Sequence, residues 1–493
     1  MTESREVTAR PVVAAQVAVV ILLALKVYFD IVTPPIGDEA YYWMWGQKLD
    51  WSYFDHPPLH AWLLRLMSMI FGWNLFSLRA LTWLTLAGTL WIIWLMSKRL
   101  KPEDPAAWFW PSAAVYLASR LFFLMTSIVF NDHLLIFLCL ASAYAFLVFT
   151  EKWEASGRGW SWLYGGAVLL GLAVLTKYNG VLFGIGIALF FIVRKPLRPL
   201  WRSPHLYLSA LLSVAMQAPV LYWNATRHFA SYEFHLSDRW GGVPLEPHPL
   251  GVITYIGVAI SYLSPLLLPP LFRMFRAPLG HPFADRSRTM ALTIFCVSSL
   301  VMLVLSAFVE VFFYWNITAF LLLMPLLAGW MNRRWMLNSH MGYGLVAAFI
   351  AVFDLSVMPI GNLIGRYDWT ISSMYGWPQV AERVKVLEQQ EHTNFVAVTR
   401  YTTAAQLGFA MHDPEVTAIS DRPDQYDIWF KPAEHEGQDA IVVSDPTLGL
   451  QDVTPYFDSL TPLETVPYTA FGKTIYEPTI YLGKGFHAQA KTS

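Results

Sequence analysis

Two adjacent carboxylates in the N-terminal part of the sequence are candidates for acid–base chemistry. Asp38 and Glu39 follow the turn Pro34-Pro35-Ile36-Gly37, where a helix is expected to begin. Acidic residues are common at helix N-termini because they complement the helix dipole, which is a structural explanation. A carboxylate among apolar and aromatic residues can also have a raised pKa and act as a general base. Both interpretations stay open on these residues alone.

Lys177 is a candidate for binding an anion. It follows an apolar run that ends at Leu175, and it precedes Tyr178. Its side chain could snorkel to lipid headgroups. It could instead bind a phosphate, which we favour because Arg227 and Arg239 add further positive charge on the side of the membrane assigned to Lys177 below.

Two further acidic motifs have both structural and functional explanations. Asp55-His56-Pro57-Pro58 could be a metal or acid–base element, or a rigid turn in which Asp55 caps the following helix. Asn131 and Asp132 could serve only as an N-cap and a first-turn acid. Two ligands do not make a metal site and no His-x-x-x-His occurs elsewhere in the sequence, so no metal and no other cofactor is predicted.

The composition indicates a membrane protein. Of the 493 residues, 55% are hydrophobic and only 14% are charged, and the mean hydropathy is +0.41. Soluble globular proteins carry about 25% charged residues. The net charge of -1 gives no reason to expect a nucleic-acid partner. Lipid is therefore the expected surrounding of much of the chain.

The apolar runs predict an α-helical protein that crosses the membrane about 11 times, within a range of 10–13, because a span needs about 20 apolar residues. The predicted spans are 11–33, 77–97, 107–127, 130–150, 161–176, 179–194, 205–225, 250–271, 290–309, 314–331 and 341–360. The apolar stretch Leu59–Phe71 is too short to span and is expected to lie in the interface as an amphipathic helix.

Basic residues predict the orientation. They follow every even-numbered span: Lys98, Arg99, Lys101, Lys152, Arg158, Arg194, Lys195, Arg198, Arg202, Arg273, Arg276, Arg286, Arg288, Arg333 and Arg334. Loops rich in Lys and Arg stay in the cytoplasm, so the N-terminus is predicted to be cytoplasmic. The loops 34–76 and 226–249, the tips at Asp132 and Lys177, and the C-terminal tail then face outward.

The tail after residue 361 differs from the rest of the chain. It has ordinary polarity, a helical stretch at about 377–390, and short β-like runs such as 395–398 and 441–443. We therefore predict a membrane-embedded catalytic domain over 1–361 and a small α/β domain over 362–493 outside the membrane.

An enzyme whose polar residues face outward needs an energised donor that is available there. Nucleotide sugars and ATP are cytoplasmic, and the sequence has no Walker loop and no strand-bound Gly-x-Gly-x-x-Gly. A lipid-linked sugar phosphate meets both requirements. A cation such as Lys177 would stabilise the departing phosphate, and a carboxylate would take the proton of the acceptor hydroxyl.

Several motifs resemble a known family. They are Asp38-Glu39-Ala40-Tyr41-Tyr42-Trp43, Tyr53-Phe54-Asp55-His56-Pro57-Pro58-Leu59, Leu78-Arg79, Asn131-Asp132, the segment 171–178, Trp223-Asn224, Phe234-His235-Leu236, Arg239 and Arg422-Pro423-Asp424-Gln425-Tyr426-Asp427. The chain resembles bacterial members of the dolichyl-phosphate-mannose protein mannosyltransferase superfamily, which has the GT-C fold and includes the aminoarabinose transferases that act on lipid A.

The resemblance implies roles for individual residues. It makes Asp38 the base, with Glu39 and Asp132 in support. Lys177 and Arg239 would hold the donor phosphate, together with Tyr178 and Arg227. Tyr41, Tyr42, Asp55, His56 and Trp315 would contact substrate, although Tyr314-Trp315 stands where the family commonly has a His-Trp pair.

The function expected from these features is an inverting glycosyltransferase of a bacterial inner membrane. It would move a sugar from polyprenyl (undecaprenyl) phosphate to a lipid A, glycan or protein acceptor, with membrane lipids around it. A transporter or flippase is the alternative, since the buried charges Lys26 and Asp30 could mark a pathway or simply pair with each other. A transporter would be expected to have two repeated halves, or spans broken by Gly or Pro at corresponding positions. The sequence shows neither feature. A lipid-binding scaffold would leave Asp38 without a role.

Overall fold

The computed structural model describes residues 2–237, 246–331, 333–420 and 422–490, with side chains from Val12 onward. Helices dominate the chain before the tail. The first twelve are α1 (Thr2–Val32), α2 (Gly37–Gln47), α3 (Leu59–Phe71), α4 (Leu75–Leu100), α5 (Pro105–Leu117), α6 (Arg120–Ser127), α7 (Asn131–Ser156), α8 (Trp160–Thr176), α9 (Gly180–Val193), α10 (Pro204–Ala215), α11 (Ala218–Thr226) and α12 (Ala230–Leu236).

Eight further helices follow, of which the last two lie at the start of the tail. They are α13 (Pro249–Leu263), α14 (Leu268–Arg276), α15 (Pro282–Ser306), α16 (Ile317–Leu321), α17 (Met324–Leu327), α18 (Arg334–Ser356), α19 (Ile360–Leu363) and α20 (Trp369–Ser372). Short 3-10 turns join several of them, such as Lys195–Arg202 after α9.

Within the described ranges, five helices are long and apolar enough to cross a membrane. They are α4, α7, α15, α18 and the part of α1 from Val12 to Val32. Three bent helix pairs raise the number to eight if each pair is one span. Helix α8 and the segment Ile317–Trp330 are apolar but shorter. All eleven predicted apolar segments are therefore mainly helical, but fewer than eleven are continuous spans.

Proline and left-handed backbone account for several of the breaks. Helix α13 ends at Leu263. The next residue, Ser264, has a φ of 105° and precedes Pro265, and the two halves of that segment are bent by 87°. Proline has no N–H to donate and disfavours helical backbone in the preceding residue. Pro219 lies at the start of α11, beyond the 43° bend that follows α10.

The tail forms a small α/β domain, as predicted. Its elements are α21 (Trp377–Glu391), β1 (Phe395–Val398), α22 (Tyr401–Met411), β2 (Thr417–Ala418), α23 (Tyr426–Trp429), β3 (Ala440–Ser444), β4 (Phe457–Thr465), β5 (Tyr468–Ala470), β6 (Lys473–Tyr476) and β7 (Thr479–Phe486). The five-stranded sheet has the order β2-β1-β3-β7-β4, in which β1 is parallel to β2 and β3, and β7 is antiparallel to β3 and β4.

The chain forms two compact units. The first comprises 1–27, 56–60 and 80–350, and the second comprises 28–55, 61–79 and 351–493. The second unit therefore contains helix α2 and most of α3 in addition to the tail sheet. The predicted boundary at residue 361, between a catalytic domain in the membrane and a domain outside it, stays a prediction.

In the first unit, an ion-pair network joins four helix ends. Glu154 near the end of α7 accepts from Arg194 after α9 at 2.8 Å and from Arg286 on α15 at 3.1 Å. Glu151 pairs with Arg99 on α4. Arg99, Arg194 and Arg286 are among the basic residues that predict the membrane orientation. Their ion pairs also stabilise the packing of these helices.

Candidate active site

The candidate base Asp38 lies in the first turn of α2, in the second unit. A β-carbon added to Gly37 would come within 2.6 Å of Thr402 Cβ, so only glycine allows this helix start to approach the start of α22 so closely. Tyr401 donates a hydrogen bond of 3.4 Å from its hydroxyl to Asp38 Oδ1. Asp38 is only partly buried. The fold thus fixes this carboxylate without enclosing it.

Glu39, by contrast, is fully buried in an ion pair. Its Oε2 accepts from Arg79 at 2.8 Å and from the backbone N–H of Ile36 at 3.0 Å, which caps α2. Arg79 also donates to the carbonyl oxygens of Phe29, Asp30, Thr33 and Pro34, at the end of α1. Through these bonds Glu39 fixes the position of the start of α2, where Asp38 lies.

Asp55 joins the first loop to a segment of the tail. Its Oδ2 accepts from the Tyr41 hydroxyl at 3.0 Å, and its Oδ1 accepts from Arg422 at 2.9 Å. The Arg422 guanidinium also lies over the Tyr401 ring, 4.2 Å from its centroid. The sequence motif 422–427 thus has a structural role that the family resemblance alone did not reveal.

Gln425 completes this arrangement. Its backbone N–H donates to the Tyr41 hydroxyl at 2.8 Å, and its side-chain oxygen accepts from the Phe54 N–H at 2.8 Å. Burial, and next the charge of Asp55, raises the pKa of Tyr41 well above its usual value, so its hydroxyl stays a donor. Tyr42 packs on Trp45 at 4.9 Å and is buried.

Burial and then the charge of Asp427 raise the pKa of the neighbouring Asp424 well above its usual value of 3.8. Two carboxylates so close to each other disfavour ionisation of the more buried one. Asp424 also accepts from the Tyr426 N–H at 2.7 Å, which shapes the start of α23.

We predict that Asp55→Asn loosens this junction. The variant keeps an acceptor for Tyr41 but loses the ion pair with Arg422, whose side chain is 37% exposed and therefore partly screened by water. Amide exchange measured by mass spectrometry should become about threefold to tenfold faster in peptides covering Phe54 and Gln425, in line with about 1 kcal/mol. Asp452→Asn, which makes none of these contacts, is the matched control. Equal exchange in both variants would contradict the role given to Asp55.

In the first unit, Lys177 forms a buried ion pair with Asp132. The ammonium donates to Asp132 Oδ2 at 2.7 Å, and both residues are at most 4% exposed. The ammonium also lies 4.7 Å from the centroid of the Tyr314 ring. The Lys177 side chain is therefore buried and does not extend to lipid headgroups. Its ion pair with Asp132 was expected neither from snorkelling nor from phosphate binding.

The other predicted phosphate-binding residues of the first unit lie close to aromatic rings. The Tyr178 hydroxyl is 3.0 Å from that of Ser231, and the Tyr178 ring packs against His235 at 5.2 Å. Arg227 lies over the Trp223 ring at 5.4 Å. Arg239 lies outside the described residues.

Trp315 supports the turn after Lys177 through its backbone. Its carbonyl oxygen accepts from the Asn179 side chain at 2.6 Å. Its ring packs against Phe312 at 5.3 Å. A substrate contact by this ring stays a prediction.

Sequence reasoning missed a buried histidine pair in the first unit. His60 Nε2 and His133 Nε2 are 3.1 Å apart, and His133 Nδ1 is 3.0 Å from the Thr85 hydroxyl. His133 follows Asp132 directly, so the same helix start supplies both polar contacts. His56 lies 6.1 Å from His235, measured between ring centroids. Across the part of the chain that the structure describes, no three His, Cys, Asp or Glu side chains form a group that could hold a metal.

Comparison with known proteins shows what this chain is similar to. A model of the dolichyl-phosphate-mannose-protein mannosyltransferase family matches residues 55–223. The lipid A galacturonosyltransferase RgtD of Rhizobium johnstonii is 24% identical over 389 residues, which are 76% of this chain and 77% of that protein. The apo crystal structure of ArnT from Cupriavidus metallidurans aligns with a TM-score of 0.65 at 14% identity, covering 97% of this chain and 98% of that one.

The chain has the GT-C fold of ArnT. The crystal structure of the same ArnT bound to undecaprenyl phosphate aligns with a TM-score of 0.63 at 15% identity, covering 96% of this chain and 98% of that one. The resemblance predicted from the sequence motifs is confirmed, and so is the predicted fold class.

Proposed function

We propose that this protein is an inverting glycosyltransferase that moves a sugar from a polyprenyl phosphate carrier to lipid A. The observation that carries the proposal is the similarity to a lipid A galacturonosyltransferase over three quarters of the chain. The fold shared with ArnT, which is known in complex with undecaprenyl phosphate, supports a lipid-borne donor. The apolar helices support a reaction at a membrane.

The proposed reaction needs a base for the acceptor hydroxyl. Asp38 is our candidate, because its carboxylate is partly exposed and is held by the start of α2 and by Tyr401. The acceptor oxygen would lose its proton to Asp38 and form a bond to the anomeric carbon. The bond between that carbon and the phosphate oxygen breaks, and its electron pair leaves with the polyprenyl phosphate. Attack opposite to the leaving group inverts the anomeric centre.

Glu39 is the less suitable base of the two acids. Its buried carboxylate already accepts from Arg79 and from the Ile36 N–H. A base must be able to reach the proton that it takes. We therefore propose Glu39 and Arg79 as positioning residues for Asp38.

The departing phosphate needs positive charge. We propose Lys177 for this role, with Tyr178, Arg227 and Arg239 as further contacts. An ammonium has three N–H donors, of which one binds Asp132. Asp132 would then fix the position of the ammonium, and a preorganised cation is most effective at a site that excludes water.

The finer points of the proposal concern substrate and orientation. The similarity to RgtD favours a hexuronosyl donor, and we propose that Asp55, His56, Tyr41, Tyr42 and Trp315 contact substrate. The basic loops favour a cytoplasmic N-terminus in a bacterial inner membrane, with the tail domain in the periplasm.

Reconstitution tests this function. The purified protein would be placed in liposomes with lipid A and undecaprenyl phosphate-linked galacturonate, and parallel samples would hold carriers with aminoarabinose or mannose. Mass spectrometry should find lipid A heavier by one sugar residue with one of the carriers. Transfer from a nucleotide sugar without a carrier lipid, or no transfer from any of the three carriers, would contradict the proposal.

A further inference from the structure

A short basic segment in the first unit links two apolar regions of the chain. It is the 3-10 helix Lys195–Arg202, which follows α9 after a bend of 102° and ends just before α10. Helices α9, α10 and α11 contain no Lys, Arg, Asp or Glu. Since charged side chains are costly in the hydrocarbon core, the bend places the basic segment along the membrane surface between these apolar helices.

The geometry of a 3-10 helix sorts the side chains of the basic segment into three rows. With about three residues per turn, side chains at positions i and i+3 stand in line. Leu197 and Leu200 form one row, and both are 0% exposed because they pack onto the protein. The other two rows are exposed: Lys195, Arg198 and Trp201 in one, and Pro196, Pro199 and Arg202 in the other. The basic segment thus presents three cations to its surroundings.

The backbone of the basic segment is fixed by hydrogen bonds at both ends. Arg194, at the bend, donates to Glu154 at 2.8 Å. The Tyr207 hydroxyl, on α10, donates to the Trp201 carbonyl at 2.8 Å. The two prolines restrict the φ angles between these points. Little further ordering is therefore needed for the three cations to act on one anion.

Acidic residues do not balance this charge. The sequence has no Asp or Glu between Glu154 and Glu233, and Glu154 already binds Arg194 and Arg286. Within the described ranges, the three cations of the basic segment form no ion pair. Membrane orientation requires only that a loop carry positive charge. It does not explain why the cations stand in rows on a rigid helix whose third row is buried.

The exposed aromatic residues indicate which anion fits. Trp201 is 39% exposed and Tyr207 is 55% exposed. Tryptophan and tyrosine are enriched at the level of lipid headgroups. Basic clusters beside a membrane span attract anionic lipids, and a guanidinium binds a phosphate through two parallel N–H groups. Cations and interfacial aromatic residues together match an anionic lipid headgroup better than a soluble anion.

We propose that the basic segment is a binding site for the headgroup of an anionic phospholipid in the leaflet that it faces. Arg198 and Lys195, which are neighbours in one row, bind the phosphate, and Arg202 adds positive charge. The Trp201 ring lies at the level of the lipid glycerol. The site is separate from the candidate active site and does not depend on the transfer reaction proposed above.

Photocross-linking of the full-length protein in nanodiscs tests this site. Phosphatidylglycerol with a diazirine in its headgroup would be diluted into phosphatidylcholine, and cross-linked peptic peptides would be identified by mass spectrometry. We expect cross-links in peptides that contain the basic segment. Unlabelled phosphatidylglycerol should compete at least about tenfold better than phosphatidylcholine, which has the phosphate but no net charge. Neither a sugar donor nor an acceptor is present, so the result is independent of the proposed transfer.

The double variant Lys195→Gln, Arg198→Gln should reduce cross-linking of the basic segment by about tenfold, because each cation lost weakens binding to anionic lipid severalfold. The matched control is Lys98→Gln, Arg276→Gln, which removes the same charge from exposed residues at the ends of α4 and α14 and should leave this cross-linking unchanged. Thermal unfolding shows whether each variant is folded. Equal competition by phosphatidylcholine, cross-links only outside the basic segment, or equal loss in both double variants would overturn the proposal.

Discussion

Asp38→Asn should lower the rate of sugar transfer by about 10²–10⁴-fold, which is the usual contribution of a general base. Asparagine has nearly the same size as aspartate, and its side-chain oxygen can still accept the hydrogen bond from Tyr401. The amide cannot take a proton from the acceptor hydroxyl. The loss should therefore appear in the rate of the chemical step, measured by mass spectrometry of lipid A in liposomes, with little change in thermal unfolding.

The matched control for this variant is Asp50→Asn. Asp50 lies in the same loop as Asp55, is half-buried, and accepts from the Trp51 N–H. We expect Asp50→Asn to transfer sugar at the rate of the unchanged protein. If the Asp38 variant also kept full activity, another group would have to be the base. Tyr401→Phe should have a much smaller effect than Asp38→Asn, since it removes only one hydrogen bond of 3.4 Å.

Local patterns in the sequence were sufficient to predict several elements that carry the candidate site. The turn before Asp38 predicts the start of α2, and the apolar stretch 59–71 corresponds to helix α3. The β-like runs at 395–398 and 441–443 lie in β1 and β3. These elements depend on residues close together in the chain, so side-chain type and periodicity are enough to identify them.

Side-chain partners could not be predicted in the same way. The sequence indicates both Lys177 and Asp132 as candidate site residues, but they lie 45 positions apart and their pairing depends on how α7 and α8 pack. Asp55 and Arg422 are separated by 367 positions. In the sequence Arg79 is only part of a motif, whereas in the structure it binds Glu39 and four carbonyl groups. Such contacts follow from tertiary structure, which a single sequence does not specify residue by residue.

The second large effect is expected at the buried pair of Lys177 and Asp132. Lys177→Met should reduce transfer by about 10²–10³-fold if the ammonium stabilises the departing phosphate. The same variant leaves the Asp132 carboxylate, which is 1% exposed, without its cation. Removing one partner of a buried ion pair costs about 3–5 kcal/mol, so a loss of activity alone would not distinguish a phosphate contact from a structural role.

A double-mutant cycle separates the two roles. Asp132→Asn in the Lys177→Met background replaces an isolated buried charge by a neutral amide, so thermal stability should return most of the way to that of the unchanged protein. If Lys177 binds phosphate, transfer should stay low in the double variant although its fold is restored. If Lys177 only neutralises Asp132, activity should return together with stability.

Lys26 offers a matched control for the loss of a buried cation in the same unit. It is 2% exposed and donates to the Thr82 hydroxyl at 3.0 Å, and no role in the reaction is assigned to it. Lys26→Met should therefore change stability without a selective change in the apparent affinity for the carrier-linked donor. The Lys177→Met, Asp132→Asn double variant should instead need a much higher donor concentration for half-maximal transfer. Equal donor dependence in these two proteins would leave Lys177 with a structural role only, because a phosphate contact must appear as a difference in donor binding.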